Sequence, residues 1–271
     1  CNGMGACRKL DGTMCPSYMI TRDEEHSTRG RANLFRAVLS GSLPYKTLTS
    51  KRLYDALDLC LECKGCKNEC PSAVDMAKLK YEFLNNYNQT NGVPIRSRLF
   101  GNINWLNRLG CRIAPISNLG LRSGGIRWLL HHLIGIHKDR PMPTFATTTL
   151  DAWFKQHKPL GTSRKGPVVL FNDTFMNYNT PQIGIAAVEV LELAGYEVIL
   201  PNLRCCGRPM ISKGMLRQAK SNARFNVDVL HRYAVDNIPI VGCEPSCLLT
   251  LRDEYTDLLQ DEISSTVSSN S

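Results

Sequence analysis

The chain has 271 residues, is 43% hydrophobic and 21% charged, and carries a formal net charge of +9. These values are typical of a globular protein and exclude fibrous and disordered chains. No apolar stretch reaches the ~20 residues of a membrane-spanning helix, and no nucleic-acid recognition motif accompanies the positive charge. We therefore expect no transmembrane segment and no nucleic-acid partner.

The chain contains 12 cysteines, and all but Cys111 fall into three tight groups. A disulfide framework is typical of small secreted domains, and this chain is larger than those. We therefore expect reduced, metal-binding cysteines and a cytoplasmic protein, with at most peripheral association at the inner face of the membrane.

Residues 1–92 are predicted to be mainly helical, with cysteine-bearing loops between the helices. A helix capped by a hydroxyl residue runs from about Thr28 to Gly41, and a second begins near Ser50. A third is predicted from Val74 to Tyr87, because its apolar residues recur at helical spacing.

Residues 93–165 read as a helical connector that ends in a Pro- and Thr-rich linker over 140–149. From residue 166 onward, short apolar runs alternate with helical patterns, which is typical of parallel βαβ units. The predicted strands are 168–171, 198–200 and 238–241, and the predicted helices are 181–194 and 216–233. The sequence thus predicts an α+β protein, in which an N-terminal helical domain precedes a three-layer α/β domain with a parallel sheet over 166–271.

The densest cysteine group has the spacing C-x2-C-x2-C-x3-C-P and consists of Cys60, Cys63, Cys66, Cys70 and Pro71. Zinc sites favour two separated C-x2-C pairs. In two-cluster ferredoxins, the first three cysteines of this run bind one iron–sulfur cluster and the fourth binds the other. The run therefore predicts iron–sulfur ligation.

The N-terminal group is an incomplete copy of the same pattern. Met4 stands at the middle ligand position between Cys1 and Cys7, and Cys15 is followed by a proline. By the crossed rule, Cys15 completes a [4Fe–4S] site with Cys60, Cys63 and Cys66. The other site has Cys1, Cys7 and Cys70 only, which leaves a [3Fe–4S] cluster, a [4Fe–4S] cluster with another ligand, or no cluster.

The third group follows two predicted strands, where open α/β sheets place their ligands. It consists of Cys205, Cys206, Cys243 and Cys247. Gly207 allows a sharp turn beneath the first pair, and the dipole of a helix after Cys243 would favour a thiolate there. The group is either a metal site or a set of buried free thiols, and Asp173 is either an oxygen ligand or a helix cap.

Several segments together carry a resemblance to known proteins. They are Cys1–Gly3, Gly12–Tyr18, Thr21–Ala32, the second cysteine run, Asn172–Phe175 and Cys205–Pro209. With these segments the chain resembles the C-terminal iron–sulfur half of FAD-linked D-2-hydroxyacid dehydrogenases of the D-lactate and D-2-hydroxyglutarate type. It is also similar to the iron–sulfur subunit of anaerobic glycerol-3-phosphate dehydrogenase and to heterodisulfide reductase subunits with cysteine-rich CCG domains.

The resemblance implies a ferredoxin-like domain followed by a CCG domain, which together relay electrons from a flavin to a quinone or another carrier. FAD and the substrate would bind outside this chain, in a flavin domain of the same polypeptide or in a separate flavoprotein subunit. A separate iron–sulfur subunit is thus the alternative, and a redox-regulated binding protein is a third interpretation. No catalytic residue is expected in this segment.

The resemblance also leaves questions at the third cysteine group. CCG motifs usually have an earlier cysteine where Asp173 stands, so this group would hold a second iron–sulfur cluster, zinc or no metal. Only the first CCG repeat is present, and we expect the chain to be a segment of something longer. Arg22, Arg29 and Arg31 either face the flavin domain or an anionic substrate, or are solvated helix side chains, and we favour the second interpretation.

Overall fold

The computed structural model of the protein describes residues 1–162 and 164–271. The chain divides into two compact units. The first consists of Cys1–Pro94 with Ile211–Leu216, and the second consists of Ile95–Met210 with Arg217–Ser271.

The first unit is helical, as its sequence predicts. Its α-helices are α1 (Pro16–Thr21), α2 (Thr28–Leu39), α3 (Lys51–Asp58), α4 (Gly65–Glu69) and α5 (Met76–Asn91). Short 3-10 helices lie at Ala6–Arg8, Glu24–His26 and Tyr45–Thr49. Ser27 caps α2 by accepting a hydrogen bond from the Gly30 amide at 2.9 Å, which satisfies one of the free N–H groups of the first turn.

Cysteine side chains are part of the core of the first unit. Cys7, Cys15 and Cys66 are buried in one hydrophobic cluster together with apolar residues from α2, α3 and α5, such as Phe35 and Leu57. The helices therefore pack around the cysteine loops instead of forming a separate core beside them.

The chain after the first unit contains the connector helices α6 to α10 and then the α/β region. The helices are α6 (Ile95–Gly101), α7 (Ile103–Arg112), α8 (Ala114–Arg122), α9 (Gly124–Ile134), α10 (Leu150–Phe154), α11 (Thr174–Tyr178), α12 (Pro181–Leu193), α13 (Arg208–Ile211), α14 (Leu216–Val235), α15 (Pro245–Leu249), α16 (Tyr255–Leu259) and α17 (Glu262–Ser269), with a π-helical turn at Thr250–Glu254. The strands are β1 (Pro167–Leu170), β2 (Glu197–Ile199) and β3 (Ile240–Val241).

The strands form one parallel sheet, as predicted, and their order in it is β2-β1-β3. Val168 and Leu170 of β1 belong to one buried cluster, whereas Val169 and the following Phe171 belong to another. Side chains alternate across a strand, so both faces of the sheet are covered and the region has three layers. β3 begins later than the predicted Ile238, because Pro239 has no N–H to donate to a ladder.

The predicted linker over 140–149 has no regular secondary structure up to the start of α10, but it is not free of contacts. The Phe145 amide donates to Asn118 Oδ1 at 2.8 Å, and the Ala146 amide donates to the Tyr178 carbonyl at 2.8 Å. Part of this run is therefore fixed against the helices of the second unit.

A search of residues 1–162 and 164–271 finds no helix with both the length and the apolar character that crossing a membrane requires.

The first turn of α2 packs very closely on the preceding 3-10 helix. A Cβ atom added to Gly30 would lie 2.1 Å from the Glu24 carbonyl oxygen, which is a backbone atom and cannot rotate away. We expect Gly30→Ala to lower the free energy of unfolding by about 1–3 kcal/mol, since overpacking of this kind forces the backbone to shift.

Chemical denaturation followed by circular dichroism, under anaerobic conditions, measures this loss. Gly124→Ala at the start of α9 is the control, because its added Cβ would meet nothing within 4 Å, and we expect a change below about 0.5 kcal/mol. An unchanged denaturation midpoint for Gly30→Ala would show that the close approach is not as described.

Candidate functional site

One cavity in the first unit is lined by cysteines from two distant parts of the chain. Its walls include Cys15, Cys60, Cys63 and Cys66, which is the set predicted from the sequence for one [4Fe–4S] cluster. Cys15 and Cys66 are buried, Cys60 is half-buried and Cys63 is exposed. The structure thus brings these residues together, and their role as ligands remains a prediction.

The local backbone explains how these cysteines reach the cavity. Cys15 is the N-cap of α1 with a left-handed φ of 61°, and the following Pro16 occupies the first turn of that helix. Glu62 and Lys64, between the other ligands, are also left-handed, with φ of 56° and 60°. Turns with such residues can direct successive N–H groups toward one side, and concave anion sites of this kind are found around iron–sulfur clusters.

Backbone amides point at the sulfurs of the predicted set. The Thr28 amide, at the start of α2, donates to Cys15 Sγ at 3.1 Å. Backbone N–H groups of Glu62 and Met76 interact with the thiols of Cys60 and Cys66. Such donors stabilise negative charge on sulfur, so the loops are prepared to hold thiolates.

Burial opposes the formation of thiolates while no metal is bound. It raises the pKa of Cys60 and of Cys66 above the ordinary value, because a low-dielectric environment disfavours the charged form. A bound metal reverses this balance, since a coordinating thiol loses its proton.

Arg31 also lines this cavity, and its environment corrects one prediction. The predicted solvation of Arg22, Arg29 and Arg31 is wrong for Arg31, which is 1% exposed. Arg22 is exposed and Arg29 is half-buried, with Arg29 Nε 2.7 Å from Glu24 Oε1. A signal for the burial was present, because Arg31 lies four residues before Phe35 and seven before Val38, on the apolar face of α2.

The side chains around this cavity have the chemistry to hold an anionic cluster. Throughout the described residues, no three His, Cys, Asp or Glu side chains are grouped in a way that could hold a metal ion. In a [4Fe–4S] cluster each of four thiolates binds a different iron, so the sulfurs stand farther apart than around one ion. Four thiols, converging amide donors and a buried cation therefore fit a [4Fe–4S] cluster.

The second predicted set is less complete. Cys7 is buried and Cys70 half-buried in the same hydrophobic cluster, whereas Cys1 is exposed. The Arg29 amide, which directly follows the Thr28 amide in the chain, donates to Cys7 Sγ at 3.2 Å. Met4 is 65% exposed, so its thioether does not take the place of the missing ligand in this conformation.

The third set lies in the second unit. Cys205 and Cys206 are buried, Cys247 is half-buried and Cys243 is exposed. The sulfurs of Cys206 and Cys247 are 3.0 Å apart. Gly207 has a φ of 88°, which allows the turn expected after the adjacent pair.

A carboxyl group and a thiol group at this third set, Asp173 and Cys243, have defined surroundings. Asp173 is buried and caps α11 by accepting hydrogen bonds from Phe175 and Met176, at 2.8 and 3.0 Å. It is therefore a helix cap. Partial desolvation, together with the nearby Asp173 carboxylate, raises the pKa of the Cys243 thiol above its ordinary value.

A polar cavity of ≈ 410 Å³ borders Cys205 at the ends of β1 and β2. Its walls carry Arg108 and Arg204 together with Asn172, whose Oδ1 is buried without a hydrogen-bond partner. Sequence reasoning missed Arg108 and Arg204, because no motif connects either arginine to the cysteine group.

Comparison with known proteins agrees with these two cysteine-rich regions. Residues 1–75 match the family model of the 4Fe-4S dicluster domain, and residues 170–252 match that of the cysteine-rich domain. The chain therefore contains a ferredoxin-like dicluster domain followed by a CCG domain, as the sequence predicts.

Relatives of known name match over most of the chain. The D-2-hydroxyglutarate dehydrogenase of Escherichia coli (strain K12) is 27% identical over 97% of this chain and 30% of its own length. A subunit of the anaerobic glycerol-3-phosphate dehydrogenase of the same organism is 30% identical over 69% of this chain and 46% of its own. The probable glycolate oxidase iron-sulfur subunit of Bacillus subtilis (strain 168) is 26% identical over 92% of this chain and 57% of its own.

The chain thus spans less than a third of the hydroxyglutarate dehydrogenase and under half of the glycerol-3-phosphate dehydrogenase subunit. No solved structure matches the chain significantly.

The cavity of the first unit generates a direct test of ligation. We expect Cys63→Ser to remove the [4Fe–4S] signal from the electron paramagnetic resonance (EPR) spectrum of the dithionite-reduced protein and to lower bound iron and sulfide by about one cluster, because the variant lacks one of the four thiolates that hold the cluster. Cys111→Ser is the matched control, since Cys111 belongs to none of the three groups and its thiol donates to the Tyr178 carbonyl. Retention of the signal in Cys63→Ser would contradict the assignment.

The third set generates a separate test. If Cys206 and Cys247 share a metal, Cys247→Ser should lower the iron or zinc content of the anaerobically purified protein while the EPR signal of the first unit stays. Inductively coupled plasma mass spectrometry of both metals measures the loss. Equal metal content in the variant and the wild-type protein would favour buried free thiols.

Proposed function

We propose that this chain, which joins a 4Fe-4S dicluster domain to a cysteine-rich domain, is the iron–sulfur electron-transfer module of a FAD-dependent D-2-hydroxyacid dehydrogenase. The observation that carries the proposal is the meeting of Cys15 with Cys60, Cys63 and Cys66 around one cavity. The match to a D-2-hydroxyglutarate dehydrogenase along 97% of this chain supports the choice of enzyme class.

The four cysteines would hold the cluster that accepts and releases single electrons when bound. The residues of the chain supply the rest of the site. The Thr28 amide donates to Cys15 Sγ, and the apolar side chains of α2, α3 and α5 cover the loops. A protein sets the reduction potential of such a cluster partly by excluding water from it and partly by donating N–H hydrogen bonds to its sulfurs.

The other two cysteine sets would extend the relay. Cys1, Cys7 and Cys70 would hold a second, incomplete cluster, and the set around Cys206 and Cys247 would hold either iron–sulfur or zinc. In this proposal, electrons enter from a flavin and leave toward a quinone or another carrier. The substrate site lies outside this chain.

The flavin partner can be arranged in two ways. A flavin domain in the same polypeptide is favoured, since a hydroxyglutarate dehydrogenase contains the matched region within a longer chain. A separate flavoprotein subunit is the second candidate, which the match to one subunit of an anaerobic glycerol-3-phosphate dehydrogenase supports. Because thiol ligands must stay reduced, we place the protein in the cytoplasm, and at the inner face of the membrane if the acceptor is a membrane quinone.

The complete enzyme that contains this chain tests the proposal. We expect D-2-hydroxyglutarate or D-lactate to reduce the flavin and then the cluster, which freeze-quench EPR detects as a signal that appears after flavin bleaching. In Cys63→Ser, flavin reduction should keep its rate, whereas electron delivery to a quinone analogue should fall at least about tenfold.

Glycolate and glycerol 3-phosphate serve as comparison substrates in the same experiment. Cluster reduction by glycerol 3-phosphate alone would favour the second candidate. A cluster that no substrate reduces, in an enzyme whose flavin is reduced, would contradict the relay.

A further inference from the structure

Arg31 is a buried cation in the wall of the cysteine cavity. The residue is 1% exposed, and the cavity wall contains it together with the predicted ligands. Its Nε donates to the Ala56 carbonyl at 2.8 Å, and its Nη1 lies 3.1 Å from Ser17 Oγ. Its Nη2 is buried and has no hydrogen-bond partner.

This guanidinium forms no direct ion pair in the described part of the chain. Among the residues that the structure describes, no carboxylate lies within ion-pair distance of Arg31. The Glu25 carboxylate attracts Arg31 only at longer range and is itself ion-paired with Arg52. A guanidinium stays protonated in proteins, and burying an unpaired charge is unfavourable. The orphaned Nη2 and the lack of a direct ion pair together indicate an anion that the protein itself does not provide.

The other charged residues in the cavity wall are Glu62 and Lys64. Lys80 and Glu62 are both buried and lie 3.6 Å apart, so their charges offset each other. Lys80 Nζ also donates to the Cys60 carbonyl at 2.7 Å. Lys64 is partly exposed, so water screens its charge.

We propose that Arg31 is the counter-charge and hydrogen-bond donor of the cluster held by Cys15, Cys60, Cys63 and Cys66, and that it raises the reduction potential of this cluster. The inference rests on the proposed function, because it needs the cluster. It adds a specific residue that sets how readily electrons enter the relay.

The direction of the effect follows from charge. Reduction adds one electron from the donor to the cluster, breaks no bond and moves no proton, so the cluster with its thiolates becomes more negative. A fixed positive charge in a low-dielectric wall stabilises the more negative form, and an N–H donor to sulfur acts in the same direction. Removing Arg31 should therefore make reduction less favourable.

Redox titration monitored by EPR tests the proposal on the full chain, purified anaerobically. We expect Arg31→Met, which keeps the apolar stem, to lower the equilibrium constant of cluster reduction at least about tenfold, which is about 59 mV for a one-electron couple. Arg31→Lys keeps the charge and loses the planar fork, so its shift should be smaller. Arg36→Met is the control, because Arg36 lies on the same helix but is exposed, and we expect less than a twofold change.

A second measurement does not depend on the folding of Arg31→Met. In wild-type protein labelled with 15N in the arginine guanidinium groups, we expect pulsed EPR of the reduced cluster to detect a coupled nitrogen. This coupling should be absent from labelled Arg31→Lys and present in labelled Arg36→Met.

The outcomes separate the two proposals. If the wild-type protein folds without iron or an EPR signal, the proposed function fails. If the wild-type cluster is present but shows no nitrogen coupling, and the variants at Arg31 titrate like the wild-type protein, only the role of Arg31 is overturned.

Discussion

The start of helix α2 is the element on which the first unit depends. Its first two amides donate to the sulfurs of Cys15 and Cys7, which belong to the two different predicted cluster sites. One turn later, Arg31 enters the wall of the cysteine cavity. Because N–H groups and the positive end of the helix dipole favour negative charge, one helix terminus organises both sites. The close contact of Gly30 with the Glu24 carbonyl then fixes where that terminus lies.

The second unit brings cysteines from distant segments together in a different way. A parallel sheet places the carboxyl ends of its strands at one edge, so segments after β1, β2 and β3 converge there. This brings Asp173 into the neighbourhood of Cys243 and brings Cys206 to Cys247. The first unit therefore gathers thiols by helix packing around loops, whereas the second gathers them through strand topology.

Much of this organisation follows from sequence, because spacing and periodicity report local geometry. The C-x2-C-x2-C-x3-C-P run predicts three cysteines on one cavity, and the crossed rule adds Cys15. What could not be predicted depends on contacts between distant residues. The burial of Arg31 overrides the usual exposure of arginine, because its partners Ala56 and Ser17 come from other elements. The outward direction of Met4 and the cavity at Arg108 likewise follow from packing that no local pattern encodes.

The central claim is that thiols from two distant loops hold one inorganic cluster. Native mass spectrometry of the folded chain, purified and sprayed without oxygen, measures this most directly. The account predicts a mass that exceeds that of the polypeptide by at least one unit of four iron and four sulfide ions. A folded chain whose mass equals that of the bare polypeptide would contradict it.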